Sequence, residues 1–155
     1  LAQTLTMAAW CAAATTLAAA GHKPVDIPER ARGAEQVVVA TATQVKPIWR
    51  TNAFGDQLIV SQVVLTVHET LKGAFAGTVP MDLEGGTLDG VTLHVSSLPD
   101  LKPGERAVFF LDRTPGGSHV PHLKGLGILK LDQTDRVVNS SLQLNDIRQM
   151  VLGAK

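Results

Sequence analysis

His119 and His122 form a His-x-x-His pair around Val120-Pro121. Two imidazoles at that spacing share a face on a helix and can then reach one metal ion. Pro121 and the flanking glycines favour a strand or loop instead. A catalytic zinc site also needs three protein ligands. The other histidines of the folded region, His68 and His94, stand in distant segments. His119 and His122 are therefore metal candidates only as a pair, and the expectation is two surface histidines and no metal.

Nucleophilic chemistry has little to work with. The single cysteine, Cys11, lies in the N-terminal apolar stretch, and the chain has no Gly-x-Ser-x-Gly elbow. Ser96-Ser97 and Ser140-Ser141 occur in polar contexts that suit turns and caps. Among the carboxylates, Asp82, Glu84 and Glu105 are the candidates. A carboxylate pair does acid–base work only when the two groups face each other about 5 to 9.5 Å apart across a cleft. Glu84-Gly85-Gly86 and Pro115-Gly116-Gly117 are glycine-rich, but no helix follows, so neither reads as a phosphate cradle. No cofactor is expected. A non-catalytic role is favoured over the alternative, a secreted or envelope hydrolase using carboxylates or histidines.

What remains is recognition. Lys46 to Asp56 (KPIWRTNAFGD) reads as a loop, and it carries Trp49, Arg50, Asn52 and Phe54. Trp and Arg are enriched at binding hot spots, and loops on rigid scaffolds often carry function. These four residues are the candidate binding tip. The competing expectation is that Trp49 and Phe54 fold back and plug one end of the domain.

The elements that would position such a tip are strands. Gln57 to Gly73 alternates apolar positions at Ile59, Val63, Leu65 and Val67, which predicts one long strand. Val60 and Val64 break the alternation, and the expectation is that they turn inward as well. Gln36 to Val45 predicts a first strand, Thr78 to Leu83 a short third one placed by Pro80 at an edge or bulge, and Val91 to Val95 a fourth with Val91 inward. Arg106 to Leu111 is almost wholly apolar and predicts a strand buried on both faces, anchored by Phe109 and Phe110. Asp112 to Ser118 predicts a hairpin turn returning at His119 to Leu123. Gly125 to Leu131 and Arg136 to Asn139 predict two more short strands. Asp26-Ile27-Pro28-Glu29 has the cap, proline and acidic signals of a helix start. Leu144 to Leu152 predicts a closing amphipathic helix. Strands at roughly ten-residue spacing indicate an all-β barrel or sandwich.

Residues 1–20 contain no charge and end in Ala18-Ala19-Ala20, like the apolar core and cleavage site of a signal peptide whose basic leader is missing. Export to the periplasm, cell surface or medium is expected, with no membrane span in the mature form. Residues 21–25 form a linker, and residues 26–155 a single domain. At about 130 residues, such a domain buries roughly 65% of its unfolded surface and stands without a disulfide. Fourteen basic and fourteen acidic residues give zero net charge, and aromatics make up only 4% of the chain. Neither feature suits nucleic acid, which calls for a basic surface and stacking rings.

Val37-Val38-Val39, Leu71-Lys72-Gly73, and Pro103-Gly104-Glu105 before Val108-Phe109-Phe110-Leu111 occur in that order. Gly85-Gly86 to Gly90, with Thr92 and Val95, follows the same pattern. Over roughly residues 35 to 131 the chain resembles exported bacterial proteins of unassigned function with a netrin-like, OB-type barrel. More remotely, it resembles the inhibitory domain of tissue inhibitors of metalloproteinases. The resemblance implies a small closed or partly open Greek-key barrel of five strands with a short N-terminal helix and a C-terminal one, used for binding a protein or other extracytoplasmic ligand. A small molecule or oligosaccharide on the barrel face is the alternative. The chain departs from those relatives in having no disulfide. It also has no match to the N-terminal Cys with which the inhibitors engage zinc, so that mechanism is not implied.

Overall fold

The structure, a computed structural model, describes residues 26–74 and 77–154. The signal-like stretch with Cys11, the linker and Phe75 lie outside the described residues.

Helix α1 (Ile27–Gly33) begins where the Asp26 side chain accepts from the Glu29 backbone N–H at 3.4 Å, with Pro28 in the first turn. Its last carbonyls are satisfied from outside the helix. The Lys72 ammonium donates to the carbonyls of Ala31, Arg32 and Ala34 at 2.8, 3.1 and 2.6 Å. Two sixteen-residue strands follow, β1 (Gln36–Thr51) and β2 (Gln57–Lys72), paired antiparallel from Val37↔Lys72 to Thr51↔Gln57. Then come β3 (Thr78–Glu84), β4 (Gly86–Leu88), β5 (Val91–Leu93), β6 (Arg106–Arg113), β7 (His119–Pro121), β8 (Ile128–Lys130) and helix α2 (Leu144–Gly153).

Five strands close into a ring in the order β1-β2-β3-β7-β6 and back to β1. Counting ring strands along the chain, this is 1-2-3-5-4-1, with the third and fifth parallel at Met81↔His119. The architecture is therefore a closed Greek-key barrel of OB-like form, mainly β, with a short helix near the N-terminus and another at the C-terminus. Closure requires β1 to bend. Its register shifts between Val37 and Val38, between Val39 and Ala40, and between Ala42 and Gln44 let it pair with β6 only as far as Thr41.

The barrel has two apolar layers. Val38, Ala40, Leu65, Met81, Phe109 and Leu111 fill the interior. Val37, Val39, Val108 and Phe110 point outward and are covered by Ile27 and Ala31 of α1 and by Leu144, Ile147 and Val151 of α2. The continuous apolar run in β6 is thus explained: one face serves the interior and the other the helices. Both Phe109 and Phe110 are fully buried. Arg148 of α2 pairs with Glu69 of β2 at 2.7 Å, tying the closing helix to the barrel.

Sequence expectations change at several points. The loop placed at Lys46 to Asp56 is mostly strand. Past Ala42, β1 has only β2 beside it, so Pro47 sacrifices no ladder bond and the strand runs on to Thr51. Val91 is 49% exposed rather than inward, because β4 and β5 form a separate two-stranded ribbon outside the ring. Arg136 to Asn139 is a turn with isolated bridges Leu131↔Val137 and Arg136↔Gln143, curled by left-handed Asp135 and Asn139.

Candidate functional site

The outer face of β2 and β3 forms the floor of an open groove of about 950 Å³. Leu58, Val60, Gln62 and Val64 line it from β2, and Pro80, Asp82 and Glu84 from β3. The turn after β1 walls one side at Asn52, and the β6–β7 hairpin loop walls the other at Thr114 and Gly116 to Ser118. Here the expectation for Val60 and Val64 is corrected. Val63 enters the barrel interior, while Val60, buried as expected, and Val64, half-buried, lie outside both core clusters and line the groove. The apolar residues that break the alternation of β2 mark its floor.

Both rims are held by their own hydrogen bonds. The Asn52 carboxamide oxygen accepts from the backbone N–H groups of Phe54 and Asp56, each at 2.9 Å, and its nitrogen donates to Asp56 at 3.0 Å. Such an Asx turn fixes the loop without core contacts. Opposite, the Thr114 hydroxyl and N–H donate to the Ser118 carbonyl at 2.9 and 2.8 Å.

Charge in the groove centres on one pair. Arg50 reaches across β2 to Asp82, with Nη1 and Oδ2 separated by 2.7 Å. Glu84 is exposed and has no cationic partner among the described residues. No aromatic ring lines the groove among them.

The four candidate binding residues are therefore split. Arg50 and Asn52 border the groove. Trp49, one residue along the strand from Arg50, faces the β4–β5 ribbon, where its indole N–H donates to Asp89 at 3.0 Å. Phe54 stands at the tip of the turn and is 90% exposed, so it plugs nothing. The groove floor and the 114–118 loop were missed in the sequence, although Val60 and Val64 carried the signal.

The histidine pair does not converge. His119 is buried, with Nδ1 3.1 Å from the Pro80 carbonyl. That oxygen only accepts, so Nδ1 bears the hydrogen. His122 directs Nδ1 to Asp112 at 2.8 Å. Its ring lies against α1 at Gly33, where an added Cβ would come within 2.6 Å of Nε2. The expectation of surface histidines is thus overturned for His119, which is buried, while His122 is half-buried, because the hairpin return packs inward against β3 and α1. His68 contacts Thr41 at 2.8 Å, and His94 stands 3.9 Å from Asp100. No group of three or more His, Cys, Asp or Glu side chains gathers among the described residues.

The other polar candidates have local duties. Glu105 binds the Lys130 ammonium at 3.0 Å and the Lys102 N–H at 2.7 Å. Burial pushes its carboxyl up, but those hydrogen bonds and the lysine charges outweigh it and hold the pKa below its ordinary value. The Ser140 hydroxyl accepts from the Leu142 N–H at 3.2 Å, a turn role. Gly85 and Gly86 have φ of +107° and +134° and cross closely over β2, where Ser61 donates to the Gly85 carbonyl at 2.7 Å.

No helix among the described residues is long and apolar enough to cross a membrane. Comparison with known proteins finds no matching family model and no matching curated protein.

Proposed function

We propose that the chain is an exported, non-catalytic binding domain of netrin-like type that holds a protein or other extracytoplasmic partner in the β2–β3 groove. The observation that carries this reading is the groove itself: an apolar floor on a rigid barrel, flanked by two internally braced loops. Sites of this size with few polar groups suit binding, and OB-like barrels place their ligands on this face between the corresponding loops. The uncharged residues 1–20 support export. The order of the Val37–Val39, Leu71–Gly73, Gly85-Gly86 and Pro103–Glu105 motifs supports the netrin-like kinship.

The groove's own chemistry narrows the partner. Two carboxylates and one guanidinium repel rather than attract phosphate, which speaks against nucleic acid. Without aromatic rings to stack on, an oligosaccharide has less to recommend it than a polypeptide. Asp82 is committed to Arg50, and the histidines are dispersed, so the hydrolase alternative gains no assembled centre.

The test is capture from the source organism's envelope and secreted fractions with wild type, Gln62→Trp and Trp49→Ala. Gln62 is exposed in the groove, so a tryptophan there fills it without disturbing either core. A partner retained by wild type and Trp49→Ala but lost by Gln62→Trp is the expected result. Equal recovery by all three forms overturns the groove as the contact.

A further inference from the structure

The groove floor is one face of β1, β2 and β3, and the strand register fixes which side chains share it. Residues paired across antiparallel strands point to the same side of the sheet. Lys46 pairs with Gln62 and through it with Asp82 in one row, and Ile48 with Val60 and Glu84 in the next. Two unmatched charges stand on opposite flanks of this face. Lys46 on β1 and Glu84 on β3 are both exposed, and neither makes a salt bridge among the described residues. Adjacent strands lie about 4.8 Å apart, so the two flanks are about 10 Å from each other. The floor between them is apolar or neutral. Ile48, Leu58 and Val64 are half-buried outside both core clusters. The Arg50–Asp82 pair crosses the Val60 row with its charges already matched.

We propose that the groove holds an amphipathic helix of a partner protein, laid along β2 with an acidic flank toward Lys46 and a basic flank toward Glu84. This rests on the reading of the groove as the binding site and adds the shape and charge of the occupant. The widths agree, because a helix with its side chains is about 10–12 Å across. It reaches both charged flanks at once while its apolar stripe meets the floor. From Leu58 to Val64 the floor runs about 20 Å, the length of a helix of roughly thirteen residues. Where the stripe crosses the Arg50–Asp82 pair, a small residue makes room for the arginine side chain. A polypeptide supplies one flank of each sign, whereas a nucleic acid carries one sign only and a neutral oligosaccharide none.

Synthetic helical peptides of about fourteen residues, followed by fluorescence anisotropy, test this. All carry one stripe of leucine and alanine. One has glutamates on one flank and lysines on the other, a second has lysines on both flanks, and a third glutamates on both. Wild type is expected to bind the mixed peptide roughly fivefold more tightly than either uniform one, as two exposed ion pairs allow. Glu84→Lys should instead favour glutamates on both flanks, and Lys46→Glu lysines on both. Both residues are exposed, so both variants keep the fold. An unchanged ranking in the two variants overturns the charge assignment. A proline at the centre of the mixed peptide breaks its helix and should weaken binding at least about tenfold. Equal binding of the proline form overturns helix docking while leaving the groove reading intact. Gln62→Trp should abolish binding of the mixed peptide, and undiminished binding there overturns the groove reading itself. Binding of no peptide also overturns helix docking, whether the groove then takes chitohexaose or a second copy of this chain.

Discussion

Arg50 Nη1 and Asp82 Oδ2 lie 2.7 Å apart across the full width of β2, joining the first ring strand to the third over the groove floor. The arginine side chain is 41% exposed, so solvent screens the pair and its net contribution to folding is small. Arg50→Met should lower stability by less than about 1 kcal/mol in urea denaturation. A loss above about 2 kcal/mol would mean that the pair holds the barrel rather than dressing the groove.

Beneath α1, the Arg30 guanidinium lies 5.2 Å from the centroid of the Phe110 ring. It is almost fully buried, and its Nε and Nη1 have no hydrogen-bond partner among the described residues. Burial lowers its pKa to about 10. The two residues should respond oppositely to replacement. Phe110→Ala opens a cavity in a sealed layer and should cost about 3–5 kcal/mol. Arg30→Met keeps the packing and removes a poorly solvated charge, so stability should stay level or rise. Loss of more than about 2 kcal/mol in Arg30→Met would show that the guanidinium is needed where it is.

Acid should unfold the protein partly through Glu105. Its carboxyl titrates below the ordinary 4.5 in the fold. The ionised form therefore stabilises the native state fully above about pH 4.5, and this contribution disappears as pH falls through the lower folded value. Stability measured from pH 7 to pH 3 should decline less steeply for Glu105→Gln than for wild type, with the variant less stable at pH 7. Parallel acid limbs would remove Glu105 from the account.

Glycine is required where the β3–β4 corner crosses β2. At Gly86, φ is +134° and an added Cβ would stand 2.7 Å from the Ser61 hydroxyl. Gly86→Ala should cost at least about 1 kcal/mol, combining strain with that clash. At Gly77 no atom of the described residues lies within 4 Å of an added Cβ, so Gly77→Ala should fall within about 0.5 kcal/mol of wild type. Equal melting temperatures for the two variants would contradict the close crossing.

Much of the barrel was legible because burial writes itself into period and composition. The doubly apolar β6, the capped α1 and the amphipathic α2 follow from Arg106–Leu111, Asp26–Glu29 and Leu144–Leu152. The site was harder to read. Pro47 looked like a loop residue because sequence does not say that β1 has a neighbour on one side only. Val60 and Val64 read as additional core because an apolar groove floor and an apolar core have the same local signature. The inward placement of His119 depends on pairing with Met81, nearly forty residues earlier, which no local pattern contains.

The central claim is that the β2–β3 groove is where a partner sits, and hydrogen–deuterium exchange with the captured partner tests it most directly. Added protection is expected at residues 57–64, at residues 82–84 and in the 114–118 loop, with none in α2. Protection confined to α2 or to the β4–β5 ribbon, with the groove strands exchanging as they do in the free protein, would contradict it.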